Sequence, residues 1–187
     1  MSSNAREDIL EAAKKSAQAH GYGGLSMRDL AAEVGIKAAS LYYHFPSKAE
    51  LATAVAKRYW EDAAADLEKI SHEKPDPVEQ LRSFPETFRK ALENENRMCL
   101  CSFMGAEYDE LPDPLKKEVQ TFADVNVAWL QKALVATGTV KPETSEAHAK
   151  AVFAAVAGAQ LMARSRADIA LYDALIESYR AAGLLPA

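Results

Sequence analysis

Apolar residues recur at intervals of three and four along most of the chain, whereas stretches that alternate apolar and polar residues are absent. The first spacing marks one face of an α-helix, and the second would mark a half-buried β-strand. Ala, Leu, Glu and Lys are frequent, and Gly and Pro fall mostly at the ends of the periodic stretches. The sequence therefore predicts an all-α protein of about nine helices.

Glycines and prolines divide this pattern into separate helices. Three glycines at 21–24 end the first helix, and Pro-containing segments at 71–77 and 112–114 interrupt later ones. The predicted helices span residues 6–20, 27–34, 37–44, 48–70, 78–94, 97–111, 115–136, 143–166 and 168–182. We place a domain boundary near the start of the long fourth helix, which gives an N-terminal domain of residues 1–50 and a C-terminal helical domain of residues 51–187.

Residues 27–46 carry a pattern that is more specific than two neighbouring helices. Two helices that cross at a steep angle need a small residue where they touch, and Ala31 supplies it. The chain must then reverse within a very short turn, for which Gly35 can adopt a positive φ without steric cost. Leu41 follows as an apolar residue of the shared core. The combination predicts a helix-turn-helix, which presents its second helix to DNA.

The two helices that flank this turn also begin with capping signals. Ser26 precedes the first motif helix and has Asp29 three positions later, which is the spacing of a capping box. Ser47 and Glu50 repeat the arrangement at the start of the long fourth helix. These caps make the helix boundaries, and therefore the motif, more secure.

Two segments, LSMRDLAAEVGI at 25–36 and LYYHFPSKAEL at 41–51, together resemble the N-terminal signature of the TetR family of transcription regulators. The resemblance covers about residues 6–51. It implies an all-helical homodimer in which the first three helices bind DNA, while the remaining helices form a ligand pocket and the dimer interface.

The resemblance also assigns DNA contacts to individual positions. It implies that Tyr42, His44 and Lys48 contact phosphate, and that Ser26 and Arg28 lie near the DNA backbone or a base edge. A phenol, an imidazole and an ammonium all suit phosphate oxygens. Two alternatives stay open, because the Tyr42 ring could instead close the core of the small domain, and His44 could be an ordinary surface residue.

The second motif helix departs from the usual pattern at its start, where the sequence is KAAS at 37–40. Relatives often carry a hydroxyl cap and a larger polar residue there. Alanine cannot form a hydrogen bond with a base, although it can touch a thymine methyl group. We therefore expect a modest number of base hydrogen bonds, made by Lys37, Ser40, Tyr43 and Arg28, with phosphate contacts and DNA shape contributing much of the binding.

The segment AVFAAVAGAQLMA at 151–163 is the longest apolar run in the chain. Its 13 residues are too few for a membrane span, which needs about 20. The small residues Ala151, Ala154, Ala155 and Gly158 lie at helical spacing and would allow a close helix–helix contact. The resemblance implies that the last two long helices form the dimer interface, whereas the alternative is that this face packs inside one chain.

The middle helices carry most of the large apolar side chains, and such a stripe commonly belongs to a core. A ligand-gated regulator nevertheless needs a cavity in this region. An aromatic wall with a few polar tips would suit a small organic effector. The best candidates for its lining are Phe88, Phe103, Tyr108 and Trp129.

The segment MCLCSFMGAEYDELPDP at 98–114 resembles, more weakly, a segment in family members that regulate electrophile detoxification. Cys99 and Cys101 lie near the start of a predicted helix and beside Arg97, and both the helix dipole and the cation favour a thiolate. The alternative function is therefore a thiol-based sensor of oxidants or electrophiles that uses Cys99 or Cys101. Cys99 is also a candidate for the ligand pocket. The opposing interpretation is that each thiol is buried and inert.

The net charge of −5 argues weakly against a nucleic-acid partner, but its distribution matters more than its sum. Residues 1–58 hold eight Lys/Arg against six Asp/Glu, and the remaining residues hold 14 against 21. The N-terminal part is therefore the less acidic end of the chain.

No catalytic pattern stands out. The four histidines are scattered, and HExxH, GxSxG and phosphate-binding glycine loops are absent. We expect no enzyme activity, no cofactor and no metal.

The N-terminus has no apolar stretch of the secretory kind, so we expect a soluble, cytoplasmic protein without a membrane partner. The predicted function is a ligand-responsive regulator, a repressor that binds a palindromic double-stranded operator as a homodimer and is released by a small-molecule effector.

Overall fold

The computed structural model describes residues 2–187, with side chains from Ala5 onward. Within this part of the chain it contains nine α-helices, one 3-10 turn and no strand, which confirms the predicted fold class. The helices are α1 (Ser2–His20), α2 (Met27–Val34), α3 (Ala38–His44), α4 (Lys48–Glu73), α5 (Pro77–Glu93), α6 (Leu100–Ala106), α7 (Asp113–Ala136), α8 (Pro142–Arg166) and α9 (Ile169–Ala181).

The largest departure from the predicted helices lies between α5 and α7. The sequence predicts one helix over 97–111, but the structure has the short α6 followed by a 3-10 turn at Tyr108–Glu110. Glu95 and Asn96 have φ values of 57° and 54°, so the backbone before α6 is left-handed. This conformation is supported from α8, because Arg164 Nη1 donates to the Asn96 carbonyl at 2.9 Å and the Asn96 amide donates to the Arg164 carbonyl at 3.0 Å.

Two compact units make up the chain, and they do not follow one another along the sequence. The first unit contains the residues up to Glu61 together with Leu100–Thr121, and the second contains Asp62–Cys99 and Phe122–Ala187. Helices α4 and α7 each contribute to both units. The division of the chain into a DNA-binding domain of residues 1–50 and a C-terminal domain of residues 51–187 stays a prediction.

The first unit is built on the apolar face of α1. Ile9, Ala13 and Ala17 lie on one face of this helix and are fully buried. Leu41 of α3 and Leu51 of α4 are equally buried in the same unit. The spacing of 9, 13 and 17 is that of one helical face, which is why the sequence alone shows where α1 packs.

The second unit packs α5 against α8 and α9, and several buried side chains form hydrogen bonds to backbone groups of neighbouring segments. Gln160 of α8 is fully buried, and its side-chain amide donates to the Phe88 carbonyl at 2.6 Å. Its carbonyl oxygen accepts from the Cys99 amide at 2.9 Å. The buried Tyr172 hydroxyl donates to the Pro85 carbonyl at 2.7 Å, and burial raises the pKa of this phenol well above its usual value.

Among the described residues, no helix combines the length and the apolar character that a bilayer crossing requires.

Replacing Gln160 with Leu removes one hydrogen bond to the Cys99 amide and one to the Phe88 carbonyl. We expect Gln160→Leu to lower the free energy of unfolding by about 1 to 3 kcal/mol, because removing a partner from buried hydrogen-bonding groups costs about this much. Urea titration followed by circular dichroism measures this difference. The same substitution at Gln120, which is exposed on α7, is the control and should change stability little. Equal stabilities of the two variants would contradict the prediction.

Candidate nucleic-acid interface

Helix α2 is fixed at both ends by the residues that the sequence indicated. At its start, the Ser26 hydroxyl accepts a hydrogen bond from the Asp29 amide at 3.3 Å, which confirms the predicted cap. At its end, Gly35 adopts φ 73° and ψ 29°, and the Ile36 amide donates to the Ala31 carbonyl at 2.9 Å. The left-handed residue lets the chain leave α2 and enter α3 within a few residues.

The contact between α2 and α3 is small and apolar. Leu30 and Ala31 of α2 and Leu41 of α3 are all buried. A Cβ atom added to Gly35 would meet nothing within 4 Å, so this position needs glycine for its backbone conformation and not for space. The predicted scaffold of the helix-turn-helix is therefore present in the structure.

Because Leu41 faces the core, the opposite side of α3 faces solvent. Tyr43 is 85% exposed and Tyr42 is 49% exposed, which are high values for aromatic side chains. The segment 37–40 is also exposed throughout, including its two alanines. Phe45, which follows α3, is buried. His44 is half-buried, with its ring edge-on to Tyr43 at a centroid distance of 5.5 Å.

Two cationic side chains of the helix-turn-helix form no ion pair with any carboxylate that the structure describes. Arg28 and Lys37 are exposed, and neither forms an ion pair with any residue that the structure describes. Most other cations of the same unit are paired; Arg58 with Glu7 and Lys14 with Glu11 are two examples. Unpaired cations can interact with phosphate without first losing an intramolecular partner.

Lys48 has a role that sequence reasoning missed. The Ser47 hydroxyl caps α4, as predicted, by accepting from the Glu50 amide at 3.1 Å. The Lys48 ammonium, however, donates to the Gly23 carbonyl at 3.0 Å and lies 4.6 Å from the centre of the Tyr22 ring. Its predicted phosphate contact remains a prediction. The contact of Lys48 with the turn after α1 joins residues 25 positions apart, and the sequence contains no signal for it.

Two of the predicted ligand residues belong to an aromatic cluster in the second unit. Phe88 and Trp129 both contact Phe84, with ring centroids 5.8 and 6.0 Å apart. Phe88 also contacts Phe122 and Phe153 at 6.3 and 5.9 Å. Sequence reasoning did not propose Phe84, Phe122 or Phe153 as ligand residues, and Phe153 lies in the Ala-rich run that was interpreted as a helix contact.

The other two predicted aromatic residues lie in the first unit. Phe103 of α6 is half-buried beside Gly21, and Tyr108 is 50% exposed with the Lys116 ammonium 4.6 Å from its ring centre. The structure therefore does not place Phe103 and Tyr108 in the aromatic cluster of the second unit. Cys99 belongs to the second unit and immediately precedes α6, which contains Cys101. Both cysteines are buried.

Helix α8 has one buried face and one exposed face. Val152, Val156 and Ala163 are fully buried within the second unit. Leu161 and Met162 are 54% and 43% exposed, which is unusual for large apolar side chains. Ala151 and Ala154, two of the small residues that the sequence singled out, are exposed on the same helix.

Comparison with known proteins agrees with this geometry. The family model for bacterial regulatory proteins of the tetR family matches residues 9–55. The crystal structure of a TetR transcriptional regulator from Legionella pneumophila is 30% identical, covers 90% of this chain and 91% of that chain, and has a TM-score of 0.85.

Two curated relatives match over shorter stretches. The nucleoid occlusion factor SlmA of Vibrio vulnificus is 36% identical over 81 residues, which cover 43% of this chain and 41% of SlmA. The transcriptional repressor AcnR of Corynebacterium efficiens is 37% identical over 68 residues, or 36% of this chain and 35% of AcnR. The helix-turn-helix match and the nearly full-length similarity to the Legionella regulator show that this chain belongs to the TetR family of transcriptional regulators.

Proposed function

We propose that this chain is a ligand-responsive repressor that binds a palindromic operator as a homodimer and is released by a small-molecule effector. The observation that carries the proposal is the exposed outer face of α3. This face is held in place by the left-handed turn at Gly35 and the buried Leu41, and it exposes aromatic and polar side chains to solvent.

The DNA contacts divide into two groups. Arg28, Lys37, Ser40 and Tyr43 are proposed to reach base edges, since Arg28 is exposed in α2 and the other three are exposed in α3 or at its N-cap. Ser26, Tyr42, His44 and Lys48 are proposed to contact the phosphate backbone and to fix the register of the protein on the duplex. The exposed methyl groups of the two alanines at 38 and 39 fit thymine methyl groups.

The exposed apolar face of α8 supports a homodimer. Leu161 and Met162 would lose their contact with water against a second copy of the chain, and the small side chains of Ala151 and Ala154 would allow the helices to approach closely. A two-fold dimer would also present two α3 helices to successive major grooves, which are about 34 Å apart.

The aromatic cluster around Phe88 supports an apolar or aromatic effector in the second unit. Such an effector releases DNA only if it binds a conformer that is not competent for DNA more tightly than the competent one. An effector that binds yet leaves operator affinity unchanged would contradict the mechanism.

A DNA-binding protein without a ligand is the main competing function, but the roughly 130 residues after the helix-turn-helix are more than dimerisation requires.

Operator binding is tested by selecting duplexes from a random library with the purified chain and measuring their affinity. We expect Lys37→Ala to weaken binding of the enriched duplex by about 1 to 3 kcal/mol and to relax selectivity at one base pair, because Lys37 is proposed to reach a base edge. Lys57→Ala is the control, since Lys57 is exposed on α4 outside the motif. The proposal fails if the wild-type chain enriches no duplex.

The dimer is tested by replacing its exposed apolar residues with charge. We expect Leu161→Glu combined with Met162→Glu to convert a dimer into a monomer of about 20 kDa, because burying two carboxylates in an apolar interface is strongly unfavourable. Sedimentation equilibrium measures the mass. Val135→Glu provides the control, as Val135 is an exposed apolar residue of α7 outside this face. A monomeric wild-type chain, or an unchanged dimer in the double variant, would contradict the assignment.

The thiol-sensing alternative requires a reachable thiol. Cys99 and Cys101 are only 2% and 3% exposed, so we expect a bulky disulfide reagent to label the native chain on the order of a hundredfold more slowly than the urea-unfolded chain. The variant Ala106→Cys, at an exposed position of α6, is the control for a reachable thiol. Native labelling as fast as in this control would favour the thiol-sensing alternative.

A further inference from the structure

The residue that follows α6 binds the turn that follows α1. The Glu107 carboxylate accepts a hydrogen bond from the Tyr22 amide at 2.6 Å through Oε2 and from the Gly23 amide at 2.9 Å through Oε1. Hydrogen bonds to an ionised acceptor are about twice as strong as neutral ones. We call this pair of hydrogen bonds the Glu107 clasp.

The turn at 21–24 is shaped to admit this carboxylate. Gly21 has φ 70°, a conformation that other residues adopt only with strain. A Cβ atom at Gly21 would lie 2.3 Å from Glu107 Oε2 and 2.6 Å from the Phe103 ring. Glycine at position 21 is therefore required both by its backbone conformation and by the close approach of two side chains from the α6 segment.

Lys48 also binds this turn. The ammonium donates to the Gly23 carbonyl, while the Glu107 carboxylate accepts from the Gly23 amide. Among the residues that the structure describes, Glu107 forms no ion pair with a cationic side chain, so its charge is balanced by the two backbone amides. Two groups of opposite charge thus hold one residue of the turn.

This turn leads directly into the helix-turn-helix. Ser26, which caps α2, follows Gly24 by two residues, and Arg28 lies within the first turn of α2. The chain reaches α6 from Cys99, the last residue of a segment that belongs to the second unit. The Glu107 clasp therefore joins the start of the DNA-binding motif to a segment that continues in sequence into the other unit.

We propose that Glu107 is a positioning residue for operator binding. The clasp holds the turn, and with it the first turn of α2, in the arrangement that the motif presents to DNA. Without the clasp the turn samples more conformations, and binding must order it. By linkage, any change that moves α6 and opens the clasp also lowers operator affinity. This inference rests on the proposed operator binding and extends it to the α6 segment.

A simple surface carboxylate would have the opposite effect. Removing a negative charge from a DNA-binding unit raises its affinity for a polyanion or leaves it unchanged. The clasp instead predicts that removing the charge of Glu107 weakens binding. The sign of the change therefore separates the two roles.

The test compares Glu107→Gln with Glu110→Gln in the full chain, because Glu110 is exposed three residues later and the charge change is identical. The probe is the duplex enriched by the wild-type chain. We expect Glu107→Gln to bind about tenfold more weakly, a loss of about 1.4 kcal/mol, while Glu110→Gln binds at least as tightly as wild type. The dependence of affinity on salt should keep its slope, because no phosphate contact is removed.

Hydrogen exchange supplies a second measurement that a general loss of stability would not reproduce. The Tyr22 and Gly23 amides should exchange faster in Glu107→Gln, whereas those of α5 and α8 should keep their wild-type rates. If Glu107→Gln fails to fold, Glu107→Asp replaces it, since the shorter carboxylate keeps the charge but cannot reach both amides.

Equal operator affinities of Glu107→Gln and Glu110→Gln would overturn the inference, as would unchanged exchange at Tyr22 and Gly23. Failure of the proposed function has a different result, because the wild-type chain would then enrich no duplex at all.

Discussion

The left-handed turn at Gly35 is the constraint on which the DNA-binding surface depends. With φ at 73°, the chain leaves α2 and places Leu41 fully inside the core within six residues. Because Leu41 faces inward, the helical repeat directs Tyr43, two residues later, toward solvent. The exposed face of α3 is thus a geometric consequence of one backbone conformation and one buried leucine.

The second unit shows how one helix can serve two surfaces. Helix α8 buries Val152, Val156 and Gln160 on one side and leaves Leu161 and Met162 in solvent on the other. Gln160 ties this helix to α5 and to the residue that precedes α6 through two buried backbone groups. Polar groups inside this unit therefore set the position of the backbone, while the large apolar groups on the outer side of α8 are exposed to solvent.

Structural features that depend on residues close together in the sequence could be predicted from the sequence alone. The Ser26 cap, the turn at Gly35 and the bounds of α2 all depend on local hydrogen bonds, and each was predicted correctly. The start of α6 was predicted too early, because the left-handed Asn96 is held by Arg164, 68 residues away. A single sequence contains no signal that would reveal such a partner.

The candidate site divides in the same way. The exposed face of α3 follows from helical periodicity, so its members could be named in advance. The partners of Lys48 and Glu107 could not, because they are backbone groups of a turn that lies 25 and more than 80 residues away in sequence. A hydrogen bond to a backbone group cannot be predicted from the identity of the residue that carries this group. The exception is a close approach that requires glycine, as Glu107 does at Gly21.

The pairing of Glu107 with backbone amides also bears on how an acidic chain can bind a polyanion. The net charge of the chain is −5, yet Arg28 in α2 and Lys37 at the start of α3 form no ion pair with any residue that the structure describes. A carboxylate near the motif could have bound one of these cations, but the Glu107 charge is satisfied by Tyr22 and Gly23. The amides of the turn thus stabilise a negative charge without pairing it with Arg28 or Lys37, two of the proposed DNA contacts. Local pairing, and not net charge, decides what this surface offers to phosphate.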